Sequence, residues 1–229
     1  MRVYKLAFSF LLICQYAHAQ KPIVEATCRA QTIESYTDAM DQGAHAIHLV
    51  LQYSNANFKV ASGQKLSDAI KAIEWHTKSY TRYEVKYILY ISTSKEYKFE
   101  SKSLFEMVDS YIPMDRVTIR SSDLNILKYW GKNYPEVKLA IIDNPKQSIA
   151  TNLANLGIKP NDYCINKSVL TALKVKSIQK RKIDVTSFTV NDTTSMRQMM
   201  EWQVDRIVTD SLHLSKLLFL NREVKDGTN

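Results

Sequence analysis

Four residues of this 229-residue chain have types and positions that can do chemistry: Cys28, Arg29, His48 and Asp210. Arg29 ends the first predicted strand. There a planar guanidinium can clamp an anion, or it can pair with a neighbouring acid. Cys28 precedes it and His48 lies in the next predicted strand, so a thiol nucleophile activated by an imidazole is one reading. The competing reading is a packed small residue beside a hydrogen-bonded structural histidine. His48 as a zinc ligand needs companions, and His45, His76 and His213 are not spaced to supply them from one element. Asp210 closes the last predicted strand, where it can face a ligand or cap the helix that follows.

The elements that position these residues are clearest from Asp184 to Asp210. Val185 to Val190 is β-branched and aromatic, which favours extended chain. Asn191 and Asp192 break it, and either can cap the next helix. Met196, Met199, Met200 and Gln203 recur at helical spacing, a pattern of ordinary helix-to-sheet packing, and Asp205 to Val208 returns to strand. This is a βαβ unit, for which a right-handed crossover is the common solution.

The same alternation runs through the chain. Strands are predicted over Pro22 to Thr27, Ala44 to Gln52, Val85 to Ile91, Arg116 to Ile119, Val137 to Ile142 and Asp162 to Ile165. Helices are predicted over Ile33 to Met40, around Leu66 to Ile73, Leu104 to Tyr111, Leu124 to Trp130, Ile149 to Leu156, Val169 to Ile178 and Leu212 to Leu220. Tyr53 to Gln64 reads as a loop. Eight βα repeats without a Gly-rich phosphate loop predict a single-domain α/β fold, the (β/α)8 TIM barrel; an open doubly wound sheet is the alternative.

Residues 1–19 stand apart. Arg2 and Lys5 precede an apolar run from Leu6 to Cys14, and Ala17-His18-Ala19 supplies small residues before Gln20, the pattern of a cleavable secretory signal. The run is too short to span a bilayer. The expected mature chain is residues 20–229, secreted or periplasmic. Arg2 and Lys5 leave with the leader, so the net charge falls from +8 to +6. The cations are scattered except for Lys174, Lys176, Lys180, Arg181 and Lys182, read as a solvated helix end rather than a nucleic-acid patch. Cys28 and Cys164 remain, too few for a disulfide scaffold.

The C-terminal pattern carries a resemblance. Phe188-Thr189-Val190-Asn191-Asp192, a helix, then Val204-Asp205-Arg206-Ile207-Val208-Thr209-Asp210 resembles the signature of the glycerophosphodiester phosphodiesterase family, Trp-Thr-Val-Asn, a helix, Gly-Val-Asp-Gly-Ile-Ile-Thr-Asp. Phe188 stands for the Trp, Gln203 for the first Gly and Arg206 for the second. Gln42-Gly43-Ala44-His45-Ala46-Ile47 fits the same order of elements. The resemblance implies the barrel and a glycerol-linked phosphodiester as the family's substrate.

It also exposes departures. The family's His-Arg-Gly becomes Cys28-Arg29-Ala30, so only the Arg is kept. The metal-binding Glu-x-Asp of the second strand becomes His48 and Val50, and the third strand's Glu-x-Lys becomes Tyr90 and Ser92. No His lies between Gln52 and Gly63, where the family carries its second catalytic His. The family uses a divalent cation, calcium or magnesium, and such hard cations demand several oxygens. The expectation is therefore a barrel without cofactor or metal, binding an anionic or phosphorylated ligand or a partner through Arg29, His48, Tyr90 and Asp210. The alternatives are an active phosphoric diester hydrolase, or altered chemistry through Cys28 and His48.

Overall fold

A computed structural model describes residues 22–54, 57–81, 83–92 and 96–218. The predicted leader, residues 1–19, lies outside these. Eight parallel strands close on themselves: β1 (Ile23–Ala26), β2 (Ala46–Ser54), β4 (Lys86–Tyr90), β5 (Val117–Ser121), β6 (Lys138–Ile142), β7 (Asp162–Asn166), β8 (Asp184–Phe188) and β9 (Arg206–Thr209). Closure is set by β1, which pairs with both β2 and β9. The chain is a single (β/α)8 barrel, and the open-sheet alternative is set aside.

Between the strands run α1 (Ile33–Asp41), α2 (Leu66–Tyr80), α3 (Glu96–Asp109), α4 (Leu124–Asn133), α5 (Ile149–Leu156), α6 (Ala172–Gln179) and α7 (Thr193–Glu201). A last helix covers 212–218; Phe219 and Leu220 of the predicted helix fall outside the described residues. Local chemistry sets the starts. Thr32, Asp123, Ser148, Thr171 and Asp192 each accept a backbone N–H of the helix they open, which satisfies one of the donors a helix start leaves free.

Most predicted boundaries shift by a few residues, α3 starting as early as Glu96, and three of the changes alter the reading. Tyr53 to Gln64 is not a loop: β2 runs on to Ser54 and pairs antiparallel with β3 (Asn57–Val60), Tyr53 lying opposite Phe58 with ring centroids 4.9 Å apart. Helix α6 begins at Ala172 rather than Val169, because Thr171 is its cap and the Asn166 side chain holds Ser168 in a turn. Lys174 therefore sits in the first turn, so the basic cluster spans the helix instead of marking its end. Gln203 lies beyond α7 with φ 60°, in the left-handed region favoured by the glycine it replaces in the family pattern.

The alternation along each strand divides the core in two. Ile47, Leu49, Tyr87, Leu89, Ile119, Leu139, Ile141, Tyr163, Ile165 and Val185 point outward into one apolar layer with the helices. Inside the barrel the filling is mixed. Ala46, Ile88, Ala140, Cys164 and Val208 are buried, and so are Glu25, Thr118, Arg120, Asp162 and Thr186.

Arg120 organises this interior. Its Nη1 and Nη2 donate to the two oxygens of Glu25, the second at 2.8 Å, and Nη2 also reaches Asp162 at 3.4 Å. Asp162 accepts Thr186 Oγ1 on both oxygens, at 2.8 and 2.7 Å. The network ties β5 across the barrel to β1, β7 and β8. Removing one partner of such a buried pair strands the other charge. In urea unfolding, Arg120→Leu is expected to cost about 3–5 kcal/mol. Glu25→Leu/Arg120→Leu should recover part of that loss, and additive single effects would contradict the coupling.

Candidate functional site

The carboxyl ends of the strands form the mouth of the barrel, and the sequence-predicted residues converge there in two groups. The first sits at the rim. Arg29 follows β1 and its Nε donates to Asp210 Oδ2, just past β9, so the pair staples the seam between the first and last strands. The Arg29 side chain is 80% exposed and Asp210 only 14%. Of the readings left open by the sequence, Arg29 takes the neighbouring acid, and Asp210 meets that cation rather than capping the next helix. The terminal guanidinium nitrogens of Arg29 make no hydrogen bond among the described residues, so they can still receive an anion. Beside the pair a cleft of about 600 Å³ runs between α1 and the last helix, lined by Cys28, Arg29, Asp38, Gln42, Asn191 and Asp210 among others.

A second rim pair faces it from β7 and β8. Lys167 Nζ donates to Asp192 Oδ2 at 2.6 Å while Asp192 Oδ1 caps α7 through Ser195 N at 2.7 Å. These hydrogen bonds, that of Lys167 foremost, pull the Asp192 carboxyl down to about 2. Asn191 accepts Thr209 Oγ1 and the Asp210 N–H, fixing the approach of β9 to the mouth. Two rim cations are thus each held by an acid.

The second group lies deeper. His48, Val50 and Tyr90 face the axis, Val50 directly opposite Tyr90 in the register of β2 and β4. The His48 and Tyr90 rings meet edge to face, centroids 5.5 Å apart and planes at 74°. His48 Nδ1 is 3.9 Å from Glu25 Oε1, beyond hydrogen-bond reach. Neither ring nitrogen has a hydrogen-bond partner among the described residues, so the expected hydrogen-bonded histidine is not found. Burial, and then the Arg120 charge, lower the His48 pKa to about 3; the ring is neutral at physiological pH.

Cys28 belongs to neither group. Its backbone takes φ 46° and its Sγ donates to Ser35 O of α1 at 3.4 Å, away from the axis that His48 faces. Burial, then the nearby Asp38, push its thiol up to about 12. A nucleophile needs the thiolate, so the Cys28 and His48 pair does not assemble as an activated dyad. Cys28 and Cys164 are both free and buried; they do not pair with each other.

Sequence reasoning missed Gln31, which locks the geometry. Buried at φ 51°, its amide nitrogen donates to the carbonyls of Thr27, Cys28 and His48 at 2.6, 3.0 and 2.9 Å. Its Oε1 accepts Val50 N and Tyr36 Oη. It thereby substitutes for the ladder bonds lost where β1 and β2 diverge. Glu25, Arg120 and Asp162 were missed as well; the available signal was a lone charge at an inward position of an apolar strand.

The other described histidines sit elsewhere: His76 pairs with Asp41 at 2.7 Å, His45 packs on Tyr83 and His213 is exposed. Among the described residues no group of three His, Cys, Asp or Glu gathers closely enough to hold a metal. A calcium or magnesium ion takes six or more oxygens, or a strict octahedron of them. A neutral imidazole, a valine and a phenol at the positions of the family's carboxylates do not fit such an ion.

A closed (β/α)8 barrel with a polar mouth at the carboxyl ends of its strands defines the class, and comparison with known proteins supplies the family. The sequence pattern described as "Glycerophosphoryl diester phosphodiesterase family" matches residues 49–214, and the chain belongs to that family. The match starts one residue after His48, so the first strand and the start of the second lie outside it. No curated protein matches the sequence. Among solved structures, a glycerophosphodiester phosphodiesterase from Parabacteroides distasonis is 14% identical, with TM-score 0.73 over 89% of this chain and 100% of that one. An Oleispira antarctica phosphodiesterase, solved in complex with the product sn-glycerol-3-phosphate, is 14% identical, with TM-score 0.71 over 86% and 96%. The Thermotoga maritima glycerophosphodiester phosphodiesterase is 15% identical, with TM-score 0.61 over 89% and 99%. At these identities the likeness is one of fold.

Two measurements follow from the mouth. The unfolded chain titrates His48 near its ordinary 6.5 and the folded chain near 3, so between these values the unfolded state holds more protons. The stability that neutral His48 confers is complete above about pH 6.5 and falls as pH drops toward 3, by at most about 1.4 kcal/mol per pH unit. His48→Leu is expected to flatten this acid limb in urea unfolding followed downward from neutral pH, and an unchanged limb contradicts the buried neutral ring. A thiol reagent at mildly alkaline pH should label the folded chain from Gln20 at least about 100-fold more slowly than the unfolded chain; comparable rates would show an accessible thiolate.

Proposed function

We propose that this member of the family is a secreted, non-catalytic barrel. In this reading it has lost metal-dependent hydrolysis of glycerophosphodiesters and binds a small anionic or phosphorylated ligand at its mouth. The observation that carries the reading is the edge-to-face contact of His48 and Tyr90 with Val50 beside it, which puts two rings and a hydrocarbon where the family places carboxylates. Phosphodiester hydrolysis needs charge on the phosphoryl oxygens neutralised, usually by the metal ion. It also needs a positioned acid or base, typically worth about 10²–10⁴ in rate. Cys28 as a protonated thiol and His48 as an unprotonated, buried ring meet neither need.

Binding draws on what is kept. Arg29 presents free guanidinium nitrogens at the rim, and its pairing with Asp210 holds the side chain in place without consuming its whole fork. The phosphate of a glycerol phosphate is a suitable partner for that geometry.

Family membership favours a second reading, an active phosphodiesterase yielding glycerol 3-phosphate and an alcohol. One experiment separates them. The chain from Gln20, assayed with glycerophosphocholine and glycerophosphoethanolamine in Ca²⁺ or Mg²⁺, is expected to release no alcohol above the enzyme-free rate; metal-dependent turnover would sink the non-catalytic reading. In thermal unfolding with glycerol 3-phosphate, stabilisation present in the parent and absent in Arg29→Ala is the result expected of a mouth ligand.

A further inference from the structure

The opposite end of the barrel carries an unneutralised basic basin. The inward positions nearest the amino ends of β4, β6, β8 and β9 are Lys86, Lys138, Asp184 and Arg206. With Lys159 and Lys182, from the loops that lead into β7 and β8, they line a cavity of about 400 Å³. Five cations thus face one carboxylate. Asp184 is met by Arg206 Nη2 at 3.2 Å, and Lys138 Nζ donates to the Asp115 carbonyl at 2.9 Å. Lys86, Lys159 and Lys182 have no hydrogen-bond or ion-pair partner among the described residues.

The other acids nearby are engaged. Asp162 serves Thr186 and Arg120, and Asp205 accepts Val185 N and Gln179 Nε2.

A solvated basic rim is the plain alternative, and it suits Lys159 and Lys182, which are exposed. It does not suit the other two. Lys86 is half-buried, and burial, then the charges of Arg206 and Lys138, hold its ammonium below the usual lysine range despite Asp184. Arg206 is only 6% exposed, and its Nε and Nη1 have no acceptor among the described residues. Lys86 has given up hydration without an acid in contact, and Arg206, although its Nη2 meets Asp184, keeps two buried N–H groups unsatisfied, a costly arrangement unless a ligand supplies the acceptor. Arg206 also stands where the family pattern carries glycine, so this guanidinium is an addition at that position.

We propose that this basin binds a small phosphate-bearing anion, inorganic phosphate or a phosphate monoester, at the amino end of the barrel and apart from the mouth. Several ammonium groups around one guanidinium suit a compact multivalent oxyanion, and the cavity leaves room for a small organic group beside the phosphate.

The test is isothermal titration of the chain from Gln20 with inorganic phosphate, chloride holding the ionic strength constant. Lys86→Gln and Lys159→Gln/Lys182→Gln, each made in the Arg29→Ala background so that the mouth does not contribute, are compared with Arg29→Ala alone and with the parent. The two exposed lysines can be replaced without touching the core, so the double variant stays informative should Lys86→Gln fold poorly; circular dichroism checks both. The expected result is saturable binding in the parent and in Arg29→Ala, weakened at least about ten-fold in the lysine variants that fold. No saturable uptake beyond that of chloride, binding that survives the lysine replacements, or binding lost with Arg29→Ala would each overturn the proposal.

Discussion

The interior of the barrel depends on one guanidinium. A closed eight-stranded sheet leaves a space that side chains must fill, and here the strand alternation delivers two buried carboxylates, Glu25 and Asp162, into it. Neither can stay charged there alone. Arg120 answers both, taking Glu25 through a two-pronged contact and Asp162 through the same Nη2. Burial works against its charge, but the neighbouring Glu25 and Asp162 outweigh that and hold it protonated. The strands it joins, β5 with β1 and β7, are not neighbours in the sheet, so the network braces the cross-section as well as neutralising charge.

That choice has consequences for the layer above. Two carboxylates inside a barrel could serve a cation, but these already have one, and Thr186 takes further lone pairs of Asp162. The same positive charge acts on His48 and reinforces the effect of burial in keeping the ring neutral. A neutral ring can lie edge-on against Tyr90 where a charged one would demand an acceptor. The rim repeats the pattern at lower stakes: Arg29 with Asp210 and Lys167 with Asp192 are partly solvated pairs, each contributing little to stability while setting the edge of the mouth.

Much of this was legible in the chain, and the illegible part has a common cause. Strand and helix periods are local, so eight helices and eight parallel strands could be read from alternation, caps and breaks. A cap at Asn191 or Asp192 was legible because the residue it serves is only a few positions away, and the structure gives the role to Asp192. Hairpin strand β3 was hidden because Asn57–Val60 is short and sits among polar residues, with only Phe58 and Val60 marking its alternation. The Glu25 and Arg120 pair is separated by 95 positions, and periodicity says which way each side chain points without saying what it meets across the barrel. Gln31 was missed for a related reason: its role follows from the divergence of β1 and β2, a feature of closure. Cys28 shows the limit of matching by position, since it occupies the place of a catalytic residue but turns its thiol toward α1.

The two ends of the barrel also differ in how their charge is balanced, and the sequence could not show this. Along the chain the lysines look scattered. Folding brings Lys86, Lys138, Lys159 and Lys182 to one end, because the residue before or at the start of each strand lands on the same rim whatever its distance in sequence. At the mouth Arg29 and Lys167 each have an acid across from them. At the amino end Asp184 is the one acid lining the basin, and Arg206, the residue that meets it, is itself wedged between that basin and the Asp162 side of the interior network. The family's glycine would leave the lysines at the same rim without this link. With arginine there, the charge of the basin is felt by the buried carboxylates through a single side chain, so the electrostatic balance of the interior and that of the amino end cannot be set independently.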